Sequence, residues 1–91
     1  MLHIVKSIHS LTELASLYKE GDQVILVEDA VYASNAQHPA FPILKSLAVC
    51  VLAADVQARG IQNRVSPSIT LVDFSAWVDL SAEQANSLTW S

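Results

Sequence analysis

Glycine is nearly missing from this sequence, with only Gly21 and Gly60 among 91 residues. A backbone loop that cradles a phosphate needs clustered glycines so that the chain can approach the anion. Nucleotide binding by a glycine-rich loop is therefore excluded, and both glycines are expected to end helices. Cysteine is rarer still. The single Cys50 cannot form an internal disulfide, which fits a reducing, cytoplasmic compartment. Charge is sparse: five Lys and Arg stand against nine Asp and Glu, a formal net charge of −4. The bases Lys6, Lys19, Lys45, Arg59 and Arg64 are scattered and form no stripe that could track phosphates, so no direct nucleic-acid contact is expected. Long hydrophobic runs are also absent. Val24–Val27 and Leu47–Ala54 fall well short of the ~20 residues of a membrane-spanning helix. The opening MLHIVKSIHS has no charged segment followed by a long apolar stretch, so neither a signal peptide nor a membrane role is expected.

What the chain does have is apolar side chains, at 52% of residues, with a mean hydropathy of +0.35. A domain of this size buries only about 60–65% of the surface its unfolded chain exposes. With few charges to cover the remainder, some apolar surface stays exposed, and large exposed patches mark partner sites. The composition is that of a subunit, folded as a single domain over residues 1–91.

The order of elements indicates an α/β fold. Leu2-His3-Ile4-Val5 is a short β-branched run suited to a first strand. Ser10-Leu11-Thr12-Glu13 has the pattern of a capping box. Leu11, Leu14, Ala15 and Tyr18 then follow at the i, i+3, i+4, i+7 spacing of a helix closed by Gly21. Gln23–Val27, Leu47–Leu52 and Ser68–Val72 are continuous rather than alternating apolar runs, the pattern of parallel strands covered on both faces. Between them, Asp29 is expected to cap a short turn through Ala33, and Pro39 and Pro42 punctuate the approach to Ile43-Leu44. Asp55–Arg59 forms a helical segment that stops at Gly60. Asp73 is expected to cap a last helix carrying Phe74, Trp77 and Val78 on one face. The expected architecture is a small three-layer α/β/α Rossmann-like fold with a mostly parallel sheet of four to five strands.

Function in such a sheet is sought at the carboxyl ends of the strands, here Lys6-Ser7, Glu28-Asp29, Ala53-Ala54-Asp55 and Asp73. Glu28 and Asp29 are adjacent, so on a strand they point to opposite faces and would not act as an acid–base pair. His3, His9, His38 and Cys50 show no helical or Cys-x-x-Cys spacing, and no metal or cofactor site is expected. His3 reads as a core or near-core strand residue, His9 and His38 as loop residues. Cys50 lies between Val49 and Val51 with no cationic neighbour in sequence to stabilise a thiolate, so it reads as a small hydrophobe. The spacing of Phe74 and Trp77 favours core packing, and Trp90 near the end of the chain points to a tail that meets a partner.

Several of these features, in this order, resemble the TusB/DsrH family. They are Met1-Leu2-His3, Glu20-Gly21-Asp22, Val27-Glu28-Asp29-Ala30-Val31, the stretch from Leu52 ending Ala58-Arg59-Gly60, Thr70-Leu71-Val72-Asp73-Phe74, and a Trp near the last residue. The resemblance implies a non-catalytic subunit that joins TusC-like and TusD-like chains in a dimer of heterotrimers. That complex would take persulfide sulfur from a TusA-like donor and hand it to a TusE-like acceptor, for 2-thiolation of the wobble uridine of tRNA. The active cysteine is then expected in the TusD-like partner. Some DsrH members of sulfur-oxidising bacteria carry a cysteine near the end of the first helix. Leu17-Tyr18-Lys19-Glu20 has none here, which favours the tRNA branch and leaves no catalytic residue to carry over. Three alternatives remain: a thiol carrier using Cys50, a DsrH-like subunit of a sulfur-oxidation complex, and a free-standing domain binding a small molecule at the strand ends. As a subunit, the chain is expected to use its Trp90 tail for assembly rather than for its own fold.

Overall fold

Strand β1 (Leu2–Val5) is the second strand from one edge of a five-stranded sheet ordered β4-β3-β2-β1-β5, in a computed structural model that describes all 91 residues. The other strands are β2 (Gln23–Leu26), β3 (Val49–Leu52), β4 (Thr70–Val72) and β5 (Ser87–Trp90), and every pairing is parallel. The runs at Gln23–Val27 and Leu47–Leu52 thus form covered central strands as expected. Ser68–Val72 is corrected: it supplies the edge strand β4, on which Leu71 is exposed because only β3 flanks it. β5 was not singled out in the sequence. Its residues, Ser-Leu-Thr-Trp, are too few and too polar to announce a strand, and it forms by adding to the free edge of β1.

Helices α1 (Leu11–Leu17), α2 (Phe41–Leu44), α3 (Ala53–Ala58) and α4 (Phe74–Glu83) complete the chain, with 3-10 turns at Ile8–Ser10 and Glu28–Ser34. Successive strands step in one direction from β1 to β4, and the chain then returns to place β5 on the far side of β1. Parallel crossovers are right-handed, so reversing the direction of travel moves the connecting helix to the opposite face. The first three helices accordingly pack on the face carrying Val5, Val24, Leu26 and Val51, in a cluster of 14 buried residues that includes Leu11, Leu14, Phe41, Leu44 and Val56. The opposite face has only α4, and its buried cluster holds four residues, Leu2, Ile25, Val27 and Leu52, with Trp77 and Leu80 packed on it.

Several local expectations are corrected. Ser10 does not cap α1, because a 3-10 turn leads into that helix and the Ser10 hydroxyl donates to the Ser91 carbonyl at 2.9 Å. α1 stops at Leu17, before Gly21, whose φ of +92° serves the turn into β2 instead. Asp29 caps nothing, since its carboxylate accepts from Arg59 at 3.0 Å. Gly60 follows α3 with φ +65°, the left-handed conformation expected just past a helix end. Asp73 does cap α4, accepting from the Ala76 amide at 2.8 Å.

Candidate functional site: a carboxyl edge, a terminal clamp and an open helix face

The carboxyl edge of the sheet gathers the residues singled out there, but they neutralise one another. Lys6 lies 3.7 Å from Glu28, both side chains being about half exposed, and Arg59 binds Asp29 at 3.0 Å and approaches Asp55 at 3.9 Å. Asp55 also accepts the Glu28 amide at 2.7 Å. That bond holds Glu28 at φ +49°, a left-handed conformation that is unfavourable for a residue with a Cβ. Glu28 and Asp29 start a 3-10 turn rather than end a strand, and each has its own cationic partner. The Ser7 hydroxyl lies 2.9 Å from the His9 ring, yet none of the ion pairs of the chain involves His9, so no carboxylate orients a base there. Asp73 is committed to its helix. This edge is a set of tethers between loops.

The most connected polar group lies elsewhere. His3, only 2% exposed, is on β1 with its ring on the three-helix side of the sheet. Its Nε2 is 2.9 Å from Asp22 Oδ2, and its Nδ1 is 3.1 Å from the indole Nε1 of Trp90. An indole N–H can only donate, so Nδ1 is the acceptor and the single ring proton sits on Nε2, directed at Asp22. Asp22 also takes the Lys19 amide at 3.1 Å and the terminal ammonium of Met1 at 3.0 Å. The His3 bond, followed by these donors, holds its carboxyl far below the usual carboxylate range, against an opposing contribution from burial. The Tyr18 hydroxyl donates to the Asp22 carbonyl at 2.7 Å and accepts the Ala48 amide at 3.0 Å. His3, Gly21-Asp22 and Trp90 were separate pieces of the sequence resemblance, and the fold brings His3, Asp22 and Trp90 into one hydrogen-bonded clamp. The sequence reading placed His3 near the core but missed its partners, which are 19 and 87 residues away. Trp90 is also corrected: it docks within its own chain, half-buried against the large cluster.

His38 is local, its Nδ1 accepting the Ala40 amide at 3.0 Å. No group of three His, Cys, Asp or Glu side chains is placed to hold a metal ion. Cys50 lies on the α4 side of β3, in register with Ile25 and Thr70, and its thiol points at the Val24 carbonyl 3.6 Å away. Burial pushes that thiol up to about 11, so almost no thiolate exists near neutrality. A groove of about 420 Å³ beside it runs between α4 and the strands, with Asp79 and Glu83 on its helical wall.

Helix α4 itself has no fully buried residue. Trp77 and Leu80 face the sheet, whereas Phe74 is 58% and Val78 67% exposed. Phe74 is thus not core, contrary to its spacing, because one helix turned onto a narrow strip of sheet can bury only one of its stripes. Phe74, Trp77 and Val78 instead line, with Ile4, an apolar hollow open to solvent. No helix of the chain is long and apolar enough to cross a membrane.

The DsrH family profile, described as DsrH like protein, matches residues 6–87. The chain belongs to the DsrH family. It is 33% identical to Protein TusB of Pectobacterium parmentieri over 95 aligned positions, covering 99% of this chain and all of the relative. Protein TusB of Salmonella arizonae is 30% identical over the same coverage. Among solved structures, the ychN protein from E. coli superposes with a TM-score of 0.75 at 18% identity, over 98% of this chain and 97% of that one. That likeness concerns the fold, and it agrees with the three-layer α/β arrangement described above.

Proposed function

We propose that this DsrH-family chain is a non-catalytic subunit of a cytoplasmic TusBCD-type sulfur-relay complex, seated with TusC-like and TusD-like chains in a heterohexamer. The family membership supports a sulfur-relay role. The observation that carries the non-catalytic assignment is the placement of the only thiol. Cys50 is on a strand beneath α4, away from the carboxyl edge, and its pKa is pushed up to about 11 by burial. A relay cysteine attacks the outer sulfur of the donor persulfide as a thiolate, becoming the new persulfide as the donor's S–S bond breaks and the donor thiolate leaves, which needs the opposite environment. Sulfur would then travel from a TusA-like donor to the TusD-like partner's cysteine and on to a TusE-like acceptor, ending in the 2-thio group of the tRNA wobble uridine. The apolar hollow at Phe74 and Val78 supports a partner-bound state for this chain.

Co-expression with the TusC-like and TusD-like chains, followed by native mass measurement, tests the assembly. A particle containing all three is expected, and a chain that stays monomeric in their presence would overturn the assignment. The thiol-carrier alternative is tested by alkylation. At pH 8 a thiol titrating near 11 is about one part in a thousand thiolate, so Cys50 is expected to react about a thousandfold more slowly than a fully ionised thiol. Rapid labelling at pH 7, or a persulfide found on Cys50 after incubation with a TusA-like donor, would favour the carrier instead.

A further inference from the structure

The clamp around His3 couples a proton to the position of the last strand. We propose that His3 is a proton-sensitive latch for β5: with one ring proton, on Nε2, it accepts the Trp90 indole and holds the strand in the sheet, and a second proton, at Nδ1, releases it. The chemistry follows from the geometry. Trp90 Nε1 stands 3.1 Å from Nδ1, and two N–H groups cannot share that contact. The other side of the ring is unaffected, because a doubly protonated His3 still donates to Asp22, now as an ion pair. Only the Trp90 arm is lost, so the response is directed at β5. The charged and titratable groups facing the ring are the Asp22 carboxylate from the turn before β2, the Met1 ammonium bound to it, and the Tyr18 phenol at the end of α1, whose ring centroid is 6.2 Å away. β5 contributes only the neutral indole, at a centroid distance of 6.2 Å. Asp22 is held in its charged form by its donors, so the latch has one moving proton.

Strand β5 is suited to such control. It is an edge strand paired with β1 alone, and its ends are tied by the Leu2 amide to the Asn86 carbonyl and the Lys6 amide to the Trp90 carbonyl, both at 2.9 Å. Its face pointing away from the three helices shares the side of α4 that leaves Phe74 and Val78 open. Loosening β5 would therefore free the edge of β1, the strand whose Ile4 lines the apolar hollow. The latch does not depend on the relay assignment.

The sign follows from proton linkage. The latched form excludes the second proton and the open form accepts it, so opening is favoured as pH falls. The effect is up to about tenfold per pH unit, the limit for one linked proton. Amide exchange on the full-length chain between pH 8 and pH 5, divided by the intrinsic rate at each pH, tests this. The Lys6 amide, bonded to Trp90, is expected to lose protection by that factor. The Val24 amide, bonded to Ala48 at 2.8 Å in the centre of the sheet, is expected to hold. Trp90→Phe keeps the aromatic packing without the donor, and His3→Gln can bond both neighbours without titrating, so each should flatten the response. Long-range proton–nitrogen spectra should place the ring proton on Nε2 at pH 8. A Lys6 response that is flat in the native chain, one that Val24 matches, one that survives Trp90→Phe, or a proton found on Nδ1 would each overturn the latch.

Discussion

The two faces of the sheet have been given very different cover. Three helices and two 3-10 turns close one face over a cluster of 14 buried residues, whereas α4 alone lies on the other over four. The cause is topological: three strand-to-strand steps go one way and one goes back, so right-handed crossovers divide the helices unequally. The densely covered face keeps the chain folded. The thinly covered one leaves Phe74 and Val78 in solvent and holds the only thiol under partial cover. Part of the apolar excess of this small domain thus lies on the thin face at Phe74 and Val78, where a partner can cover it, while Leu17, Leu71 and Leu88 are exposed outside it.

The contrast can be broken most severely from the dense face. Leu26→Ala removes a fully buried side chain from the larger cluster and is expected to destabilise the isolated chain by about 2–5 kcal/mol in denaturant unfolding. A loss below about 1 kcal/mol would mean that this face is not the stabilising core. Trp90→Ala should follow at about 2 kcal/mol, less than the ~3–5 of a fully buried aromatic because the indole is half-buried. A chain unchanged in stability but impaired in assembly would restore the partner-facing tail expected from the sequence.

Asp22→Asn tests the clamp through acid unfolding. The Asp22 carboxyl titrates below its unfolded value near ~3.9, so its contribution is present above that value and is lost as pH falls through the acid range. The variant should lose stability at pH 7 and show a shallower decline between about pH 5 and pH 2. An unaltered acid profile would mean the native carboxyl is not held in its charged form. The smallest effect on folding is expected for Val78→Ser on α4, within about 0.5 kcal/mol for the isolated chain because the side chain is already in solvent. Its effect should appear instead as weakened capture by the partner chains, and equal capture would move the interface off α4.

Much of the architecture was legible locally. The continuous runs at Gln23–Val27 and around Val51 marked covered parallel strands, and Asp73 and Gly60 ended or began helices where such residues do. That Ser10 and Asp29 do not cap was not legible, because each found a distant partner, Ser91 and Arg59, that outcompeted the local amides. β5 has no local signature because its stability comes from the edge of β1 and from one indole bond rather than from its own four residues.

The class of fold, the family, and the want of a glycine loop, a disulfide or a basic stripe could be read from the residues alone, since these rest on residue type and on spacing along the chain. Tertiary structure alone decided that His3, Asp22 and Trp90 form one site, and that Phe74 stands outside the core. It also decided on which face Cys50 lies. The first depends on contacts 19 and 87 residues apart, and the others on the handedness of the crossovers, neither of which leaves a periodic trace in the chain.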